Sequence, residues 1–155
     1  SGGVIPAWLL SEYLEEVLGK PISFVYIRDT RKKGGQKELI TGIDNNPDSR
    51  GVVVEELVNF AETTCNGVGA LRDAGYRVDH GACILFYGNP ESSKALQSAN
   101  IELIYLFTLR RLLEIAENHK THSSKAIMGF REFLRNPFEW QKRRGLVPVK
   151  EGGTR

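Results

Sequence analysis

Two adjacent carboxylates, Glu55 and Glu56, directly follow a run of three valines at positions 52–54. Such a short β-branched run is typical of a central strand covered on both faces, and we expect the glutamates to end that strand. Ligand sites of open parallel sheets lie beyond the carboxyl ends of the strands. There the two carboxylates could accept hydrogen bonds from a sugar diol, directly or beside a magnesium ion. Alternatively, they are acids near a helix start, which the helix dipole favours without any ligand.

A strongly basic segment precedes this pair along the chain. The ten residues 28–37 contain five cations and two glycines; the cations are Arg28, Arg31, Lys32, Lys33 and Lys37. A flexible basic loop beside an acidic pocket could neutralise the negative charge that develops on a polyphosphate leaving group. Because the same composition is also typical of a solubilising surface loop, the segment alone leaves both interpretations open.

The elements that must position these residues follow from an alternation of short apolar runs and amphipathic segments. We predict helices at about 7–18, 61–74 and 91–97 and from 108 onwards, and strands at about 22–27, 52–54, 82–87 and 101–107. Strands of about five residues that alternate with helices indicate an α/β fold with a mainly parallel sheet.

The C-terminal part of the chain differs from the rest. Apolar residues at 126, 127, 130, 133 and 134 have the spacing of an amphipathic helix, and Pro137 suits the first turn of a further short helix. Residues 120–155 carry 9 basic and 3 acidic residues, whereas residues 1–119 carry 12 and 16. A basic tail could contact nucleic acid or a membrane. Because it lacks the aromatic–basic interleaving of RNA-binding surfaces, we favour a solvated helical face that pairs with the acidic body.

Length and composition exclude several classes of protein. The chain has 155 residues, 41% of them hydrophobic and 26% charged, as expected of one globular domain. No apolar run approaches the roughly 18 residues needed to cross a bilayer, and the N-terminus lacks the basic region of a signal peptide. Cys65 and Cys83 are too few for a disulfide framework, and no His/Cys cluster has zinc-ligand spacing. We therefore expect a cytoplasmic protein with neither nucleic acid nor membrane as a partner.

The order of these features resembles that of the orotate phosphoribosyltransferases, in particular a longer bacterial form. A glycine pair at 2–3, a strand, the basic loop, the β-branched strand and the acidic pair follow one another as in that family. The segments that carry the resemblance are 26–28, Lys32, Gly35 and 40–42 for the family's mobile catalytic loop, 53–57 for its phosphoribosyl-pyrophosphate motif, and 74–75, 78–81, 85–88, 101–105 and 133–140 beyond it.

The resemblance implies a phosphoribosyltransferase-type α/β fold, an open, mainly parallel sheet flanked by helices, with a C-terminal helical extension. Residues 1–119 would form the core, 120–150 the extension and 151–155 a frayed tail. We expect the family's N-terminal hood and first core strand to be missing from this stretch of chain. Because the mobile loop of the family usually completes a neighbouring subunit's active site, the resemblance also implies a homodimer.

The activity that the resemblance implies is the magnesium-dependent transfer of 5-phosphoribose from phosphoribosyl pyrophosphate to orotate. Lys32 and Arg28 would be the catalytic residues that neutralise pyrophosphate. Glu55 and Glu56 would hold the ribose hydroxyls and would contact Mg²⁺ only indirectly, through the donor.

The segments that would bind phosphate depart from the family pattern. Gly2-Gly3 would form the pyrophosphate loop, and Asn59 and Thr63 would lie in the turn that binds the 5′-phosphate. That turn is of the type Thr-Thr-x-Gly-Gly-Ser in the family, but reads Val-Asn-Phe-Ala-Glu-Thr here, from position 58. Asn59 and Glu62 fit a capping box, which predicts a helix that satisfies its own N–H groups. Two hypotheses therefore stay open: an orotate phosphoribosyltransferase, or a non-catalytic relative that acts in binding or regulation.

Overall fold

The computed structural model describes residues 2–28, 40–42 and 49–148. Within these ranges the chain alternates strands and helices and ends in three consecutive helices. The elements are α1 (Val4–Leu18), β1 (Tyr26–Ile27), β2 (Ile40–Thr41), β3 (Arg50–Val58), α2 (Glu62–Asp73), β4 (Arg77–Phe86), α3 (Pro90–Ser98), β5 (Glu102–Thr108), α4 (Leu109–Asn118), α5 (Ser124–Arg135) and α6 (Pro137–Arg143).

Three parallel strands form the central sheet, in the order β3-β4-β5. Val53 of β3 pairs with Gly81 of β4, and Ala82 of β4 pairs with Ile104 of β5. Parallel neighbours need a long crossover connection, and α2 and α3 supply the two crossovers. β1 and β2 pair separately as a short antiparallel ribbon. The predicted α/β fold with a parallel sheet and flanking helices is confirmed.

β3 lies at an edge of the described sheet and its Val52 is 46% exposed, so the expectation of a central strand covered on both faces is wrong. The Gly2-Gly3 turn, and not another described strand, lies beside its second edge.

β3 is also longer than its valine run predicts. It continues through Glu55 and Glu56 to Val58, which pairs with Phe86 of β4. The expectation that the glutamates end the strand is wrong, because pairing with β4 outweighs the low strand propensity of glutamate. Conversely, the strand predicted at 22–27 is reduced to Tyr26–Ile27, since its described partner β2 has only two residues.

The buried apolar side chains form two clusters. The first packs α2 against β3 and β4 and contains Val53, Val68, Leu71, Val78 and Cys83 among others. The second joins the C-terminal helices to the chain just beyond β3; its buried members are Phe60, Leu109, Leu113, Ile127, Phe133 and Leu134. Since Phe60 lies only two residues beyond β3, the second cluster ties α4 and α5 to the carboxyl edge of the sheet.

The predicted frayed tail, residues 151–155, lies outside the described residues. None of the helices in the described ranges combines the length and the apolar character that crossing a bilayer requires.

Candidate functional site

The glycine pair at the start of α1 lies against the acidic pair of β3. The Glu56 carboxylate fills the place that a Cβ on Gly2 would take. A Cβ on Gly3 would lie 2.6 Å from the Val54 carbonyl oxygen and 3.2 Å from a Glu55 carboxylate oxygen. Real Cβ atoms essentially never approach other heavy atoms within 3.0 Å, so the backbone contact with Val54 requires glycine at position 3. At position 2 the contact is with the end of the exposed Glu56 side chain, which can move aside. The structure thus brings together Gly2, Gly3, Glu55 and Glu56, four of the predicted site residues.

The position of β3 in the sheet explains this contact. Among the described strands β3 pairs only with β4, so its other edge faces the Gly2-Gly3 turn. Consecutive strand residues point to opposite faces, and a turn beside the strand edge can border both. Glu55 is partly buried and Glu56 is exposed, so a ligand could reach the Glu56 carboxylate from solvent.

The acidic pair also affects a neighbouring thiol. Glu55 lies opposite Cys83 of β4 in the strand register. Burial, with a smaller contribution from the Glu55 carboxylate, raises the pKa of Cys83 to about 11. The thiol is therefore neutral at physiological pH, and the buried Cys83 packs as a small hydrophobic residue.

The helix after β3 does not cap itself, so the capping-box hypothesis is wrong. α2 begins at Glu62, and its N-cap is Ala61, which makes no side-chain cap hydrogen bond. Asn59 lies two residues before this cap, and its side-chain oxygen accepts a hydrogen bond from Asn89 Nδ2 at 3.0 Å. The pattern fails because β3 extends to Val58 and the burial of Phe60 delays the start of the helix. The first N–H groups of α2 are therefore left without a side-chain acceptor at the cap.

The loop at residues 59–61 adopts a backbone that normally favours glycine. Ala61 has φ 63° and ψ 14°, the left-handed region, and is almost fully buried. A Cβ disfavours this conformation, yet the chain adopts it here. Thr63, a predicted phosphate-binding residue, lies exposed in the first turn of α2 beside Glu62. An uncapped helix start after a left-handed residue is a suitable place for an anion.

Of the two predicted catalytic cations, the structure describes only Arg28. Its guanidinium donates hydrogen bonds to the Thr41 hydroxyl at 3.1 and 3.2 Å, which fixes it to the β1–β2 ribbon. The β1–β2 ribbon packs near β3 and α2. A Cβ on Gly67 of α2 would lie 3.4 Å from the side chain of Ile27 in β1 and 3.5 Å from that of Val53 in β3. Lys32 lies outside the described residues.

The site offers a magnesium ion few protein ligands. Within the described ranges, no group of three or more His, Cys, Asp and Glu side chains could hold a metal ion. Mg²⁺ in proteins is usually bound through one or two carboxylates together with the phosphates of a substrate. Glu55 and Glu56 are one such pair of carboxylates, and their indirect contact with Mg²⁺ through the donor stays a prediction.

Asn89, which contacts the turn after β3, was not among the predicted site residues. Asn89 has no exposed surface and donates two hydrogen bonds to Asn59, 30 positions earlier in the chain. Its local role was detectable, because asparagine followed by Pro90 is typical of a helix N-cap and first turn. Its contact with Asn59 joins two loops at the carboxyl edge of the sheet and has no local signature.

The chain is similar to orotate phosphoribosyltransferases over nearly its whole length. It is 33% identical over 149 residues to that of Agrobacterium fabrum and 31% identical to that of Allorhizobium ampelinum, in each case over 95% of this chain. It spans 62% and 63% of the length of these two relatives. No protein-family profile matches the chain. The resemblance predicted from the motifs is confirmed.

Solved structures show the same fold. Leishmania donovani UMP synthase superimposes with a TM-score of 0.61 and 20% identity, over 79% of this chain and 26% of that one. The orotate phosphoribosyltransferase of Aeropyrum pernix superimposes with a TM-score of 0.52 and 22% identity, over 71% of this chain and 58% of that one.

Proposed function

We propose that this homologue of the orotate phosphoribosyltransferases binds phosphoribosyl pyrophosphate, and that the complete protein transfers its phosphoribosyl group to orotate. The contact between the Gly2-Gly3 turn and the Glu55–Glu56 pair carries the proposal. These residues are about fifty positions apart in the chain, and nothing in their local sequence requires them to meet. The small glycines let the backbone of the turn pack beside the two carboxylates, so a donor could meet backbone N–H groups with its phosphate and the acids with its hydroxyls at one place.

In the proposed complex each part of the donor meets a matching group. The carboxylates of Glu55 and Glu56 accept hydrogen bonds from the ribose hydroxyls, and N–H groups at the start of α2 donate to the 5′-phosphate. Arg28 and Lys32 neutralise the charge of the departing pyrophosphate. A magnesium ion bound by the donor supplies further charge neutralisation. A homodimer, in which a partner's loop completes the site, belongs to the same proposal.

The altered turn is compatible with a bound phosphate. Ala61 adopts the left-handed conformation, and no side chain at the cap takes the N–H groups of α2. The carboxylate of Glu62 opposes an anion there, but it is exposed to solvent. Two unit charges 4 Å apart interact by about 1 kcal/mol in water, against about 4 kcal/mol near a protein surface of lower dielectric. We therefore infer that Glu62 weakens donor binding without abolishing it.

Calorimetric titration with phosphoribosyl pyrophosphate and Mg²⁺ tests the proposal, with ribose 5-phosphate as the reference ligand. Glu56→Gln keeps the size of the side chain and removes the charge that the ribose hydroxyls need. We expect it to weaken donor binding by about tenfold, the loss of one hydrogen bond to a charged group. Glu132→Gln, the same change on an exposed position of α5, is the matched control. Absence of wild-type binding at millimolar donor would favour the non-catalytic relative.

A further inference from the structure

A fully buried asparagine connects two loops at the carboxyl edge of the sheet. Asn89 lies between β4 and α3, and its side chain uses both halves of its amide. The oxygen accepts a hydrogen bond from Ser92 N at 2.9 Å, which caps α3. The nitrogen donates to the carbonyl oxygen of Asn59 at 2.8 Å and to its side-chain oxygen at 3.0 Å. These partners fix the orientation of the amide, because Ser92 N can only donate and a carbonyl oxygen can only accept.

The loop that receives these hydrogen bonds is anchored on two sides. Phe60, the residue after Asn59, is buried against the C-terminal helices, with its ring stacked on Phe138 at 5.9 Å and edge-on to Phe133 at 6.2 Å. Asn59 is held by the loop before α3, and Phe60 by α5 and α6. Ala61 must then turn through the left-handed region to start α2. The two anchors together define the backbone that leaves the α2 N–H groups without a side-chain cap.

On the premise of the donor site proposed above, we propose that Asn89 is a positioning residue for phosphate binding. Its side-chain nitrogen holds the main chain of Asn59, which keeps residues 59–61 in the conformation that presents the N–H groups of α2. Asn89 does not touch the phosphate. The capping of α3 by its oxygen is a separate, structural role, and the two roles can be separated because they use different atoms of one amide.

Asn89→Asp separates them. Aspartate keeps the acceptor for Ser92 N, since aspartate is as good an N-cap as asparagine, but it sets a carboxylate oxygen against the carbonyl oxygen of Asn59. The chain offers a matched control in Asn136→Asp. Asn136 caps α6 through Glu139 N at 3.1 Å and also precedes a proline. The control changes the same amide in the same local sequence context and is solvent-exposed.

Two measurements follow on the same three proteins, wild type, Asn89→Asp and Asn136→Asp. In calorimetric titration with phosphoribosyl pyrophosphate and Mg²⁺, we expect Asn89→Asp to weaken binding by about tenfold or more, because the partly buried Asn59 carbonyl loses its donor. Asn136→Asp should match wild type. In amide hydrogen exchange without ligand, we expect residues 59–64 to exchange about tenfold faster in Asn89→Asp, while residues 92–95 keep their protection.

A rescue at low pH distinguishes positioning from a general loss of stability. When the aspartate that replaces Asn89 is protonated, it regains an O–H donor for the Asn59 carbonyl. The ratio of the Asn89→Asp and wild-type dissociation constants should therefore be smaller at pH 5 than at pH 8. A ratio that stays the same or grows on acidification would overturn the proposal, as would equal losses in the two aspartate variants.

Failure of the proposed function and failure of the inference about Asn89 give different results. If wild type does not bind the donor, the proposed donor site is wrong, and hydrogen exchange alone tests whether Asn89 positions residues 59–61. Faster exchange confined to residues 59–64 would then still assign Asn89 to the loop's conformation. Unchanged exchange there, or exchange that rises equally in α3, would overturn it.

Discussion

Adding one methyl group at Gly3 tests the central contact of the site. In Gly3→Ala the new Cβ would lie 2.6 Å from the Val54 carbonyl oxygen, whereas ordinary van der Waals contact begins at 3.4 Å. The start of α1 must therefore retreat from β3 by about 0.8 Å, the difference between these distances. The φ of Gly3 is −69°, which alanine adopts readily, so the effect is one of space and not of backbone strain. In an enzyme's site a misplacement of about 1 Å can cost on the order of 100-fold in rate, and we take this as the upper limit for the loss of donor affinity. We therefore expect the affinity for phosphoribosyl pyrophosphate to fall roughly 10- to 100-fold.

The assay is calorimetric titration of Gly3→Ala with the donor and Mg²⁺, and circular dichroism verifies folding. Gly69→Ala in α2 is the control, because a Cβ there meets no other atom within 4 Å. That change should leave affinity unaltered and raise stability by up to about 1 kcal/mol, since alanine is the better helix former. Wild-type affinity in Gly3→Ala would refute the reasoning, because it would show that the Gly2-Gly3 turn and the Glu55–Glu56 pair do not form one donor site.

Two further predictions concern charge at the same site. Glu62→Gln removes a carboxylate from the first turn of α2. We expect donor binding to tighten about two- to fivefold at low salt and less at high salt, because salt screens an exposed charge. Equal affinities of wild type and Glu62→Gln in titrations at low salt would contradict this. The raised pKa of Cys83 makes the free energy of unfolding depend on alkaline pH. The Cys83 thiol has a pKa of about 11 in the folded state and about 9 in the unfolded state. The stability that the buried neutral thiol contributes is therefore complete below pH 9 and is lost as the pH rises from 9 to 11. Urea unfolding midpoints should fall over that range, and Cys83→Ala should show a smaller decrease; identical pH profiles of the two proteins would rule the explanation out.

Where the sequence could be interpreted locally, it predicted the structure well. Helix α3 was expected at 91–97 and spans Pro90–Ser98, and Pro137 begins α6 as its position suggested. These elements depend on caps, prolines and apolar spacing within a few residues. The strand boundaries were less accurate, because a strand ends where its neighbour ends. β3 passes through two glutamates only because β4 continues beside it.

In the candidate site, too, the sequence predicted the residues but not their arrangement in space. The glutamate pair, the glycine pair and the basic loop were recognisable by residue type and by their order along the chain, which contain no distances. The capping box at Asn59 was a sound local interpretation and still wrong, because the side chain of Asn59 bonds to Asn89 instead of the helix. Which of two possible hydrogen bonds forms depends on a partner 30 residues away, and no local pattern contains it.

The sequence by itself thus determined the class of fold, the succession of elements and the family resemblance, since periodicity, caps and motif order are properties of neighbouring residues. Tertiary structure alone decided how closely Gly2 and Gly3 approach the acidic pair and that the start of α2 is not capped by Asn59. It also decided that Ala61 is held in the left-handed region between Asn89 and the aromatic cluster around Phe60. The physical reason is that close packing and buried hydrogen bonds are satisfied across the whole molecule, so a distant partner can outweigh a local preference.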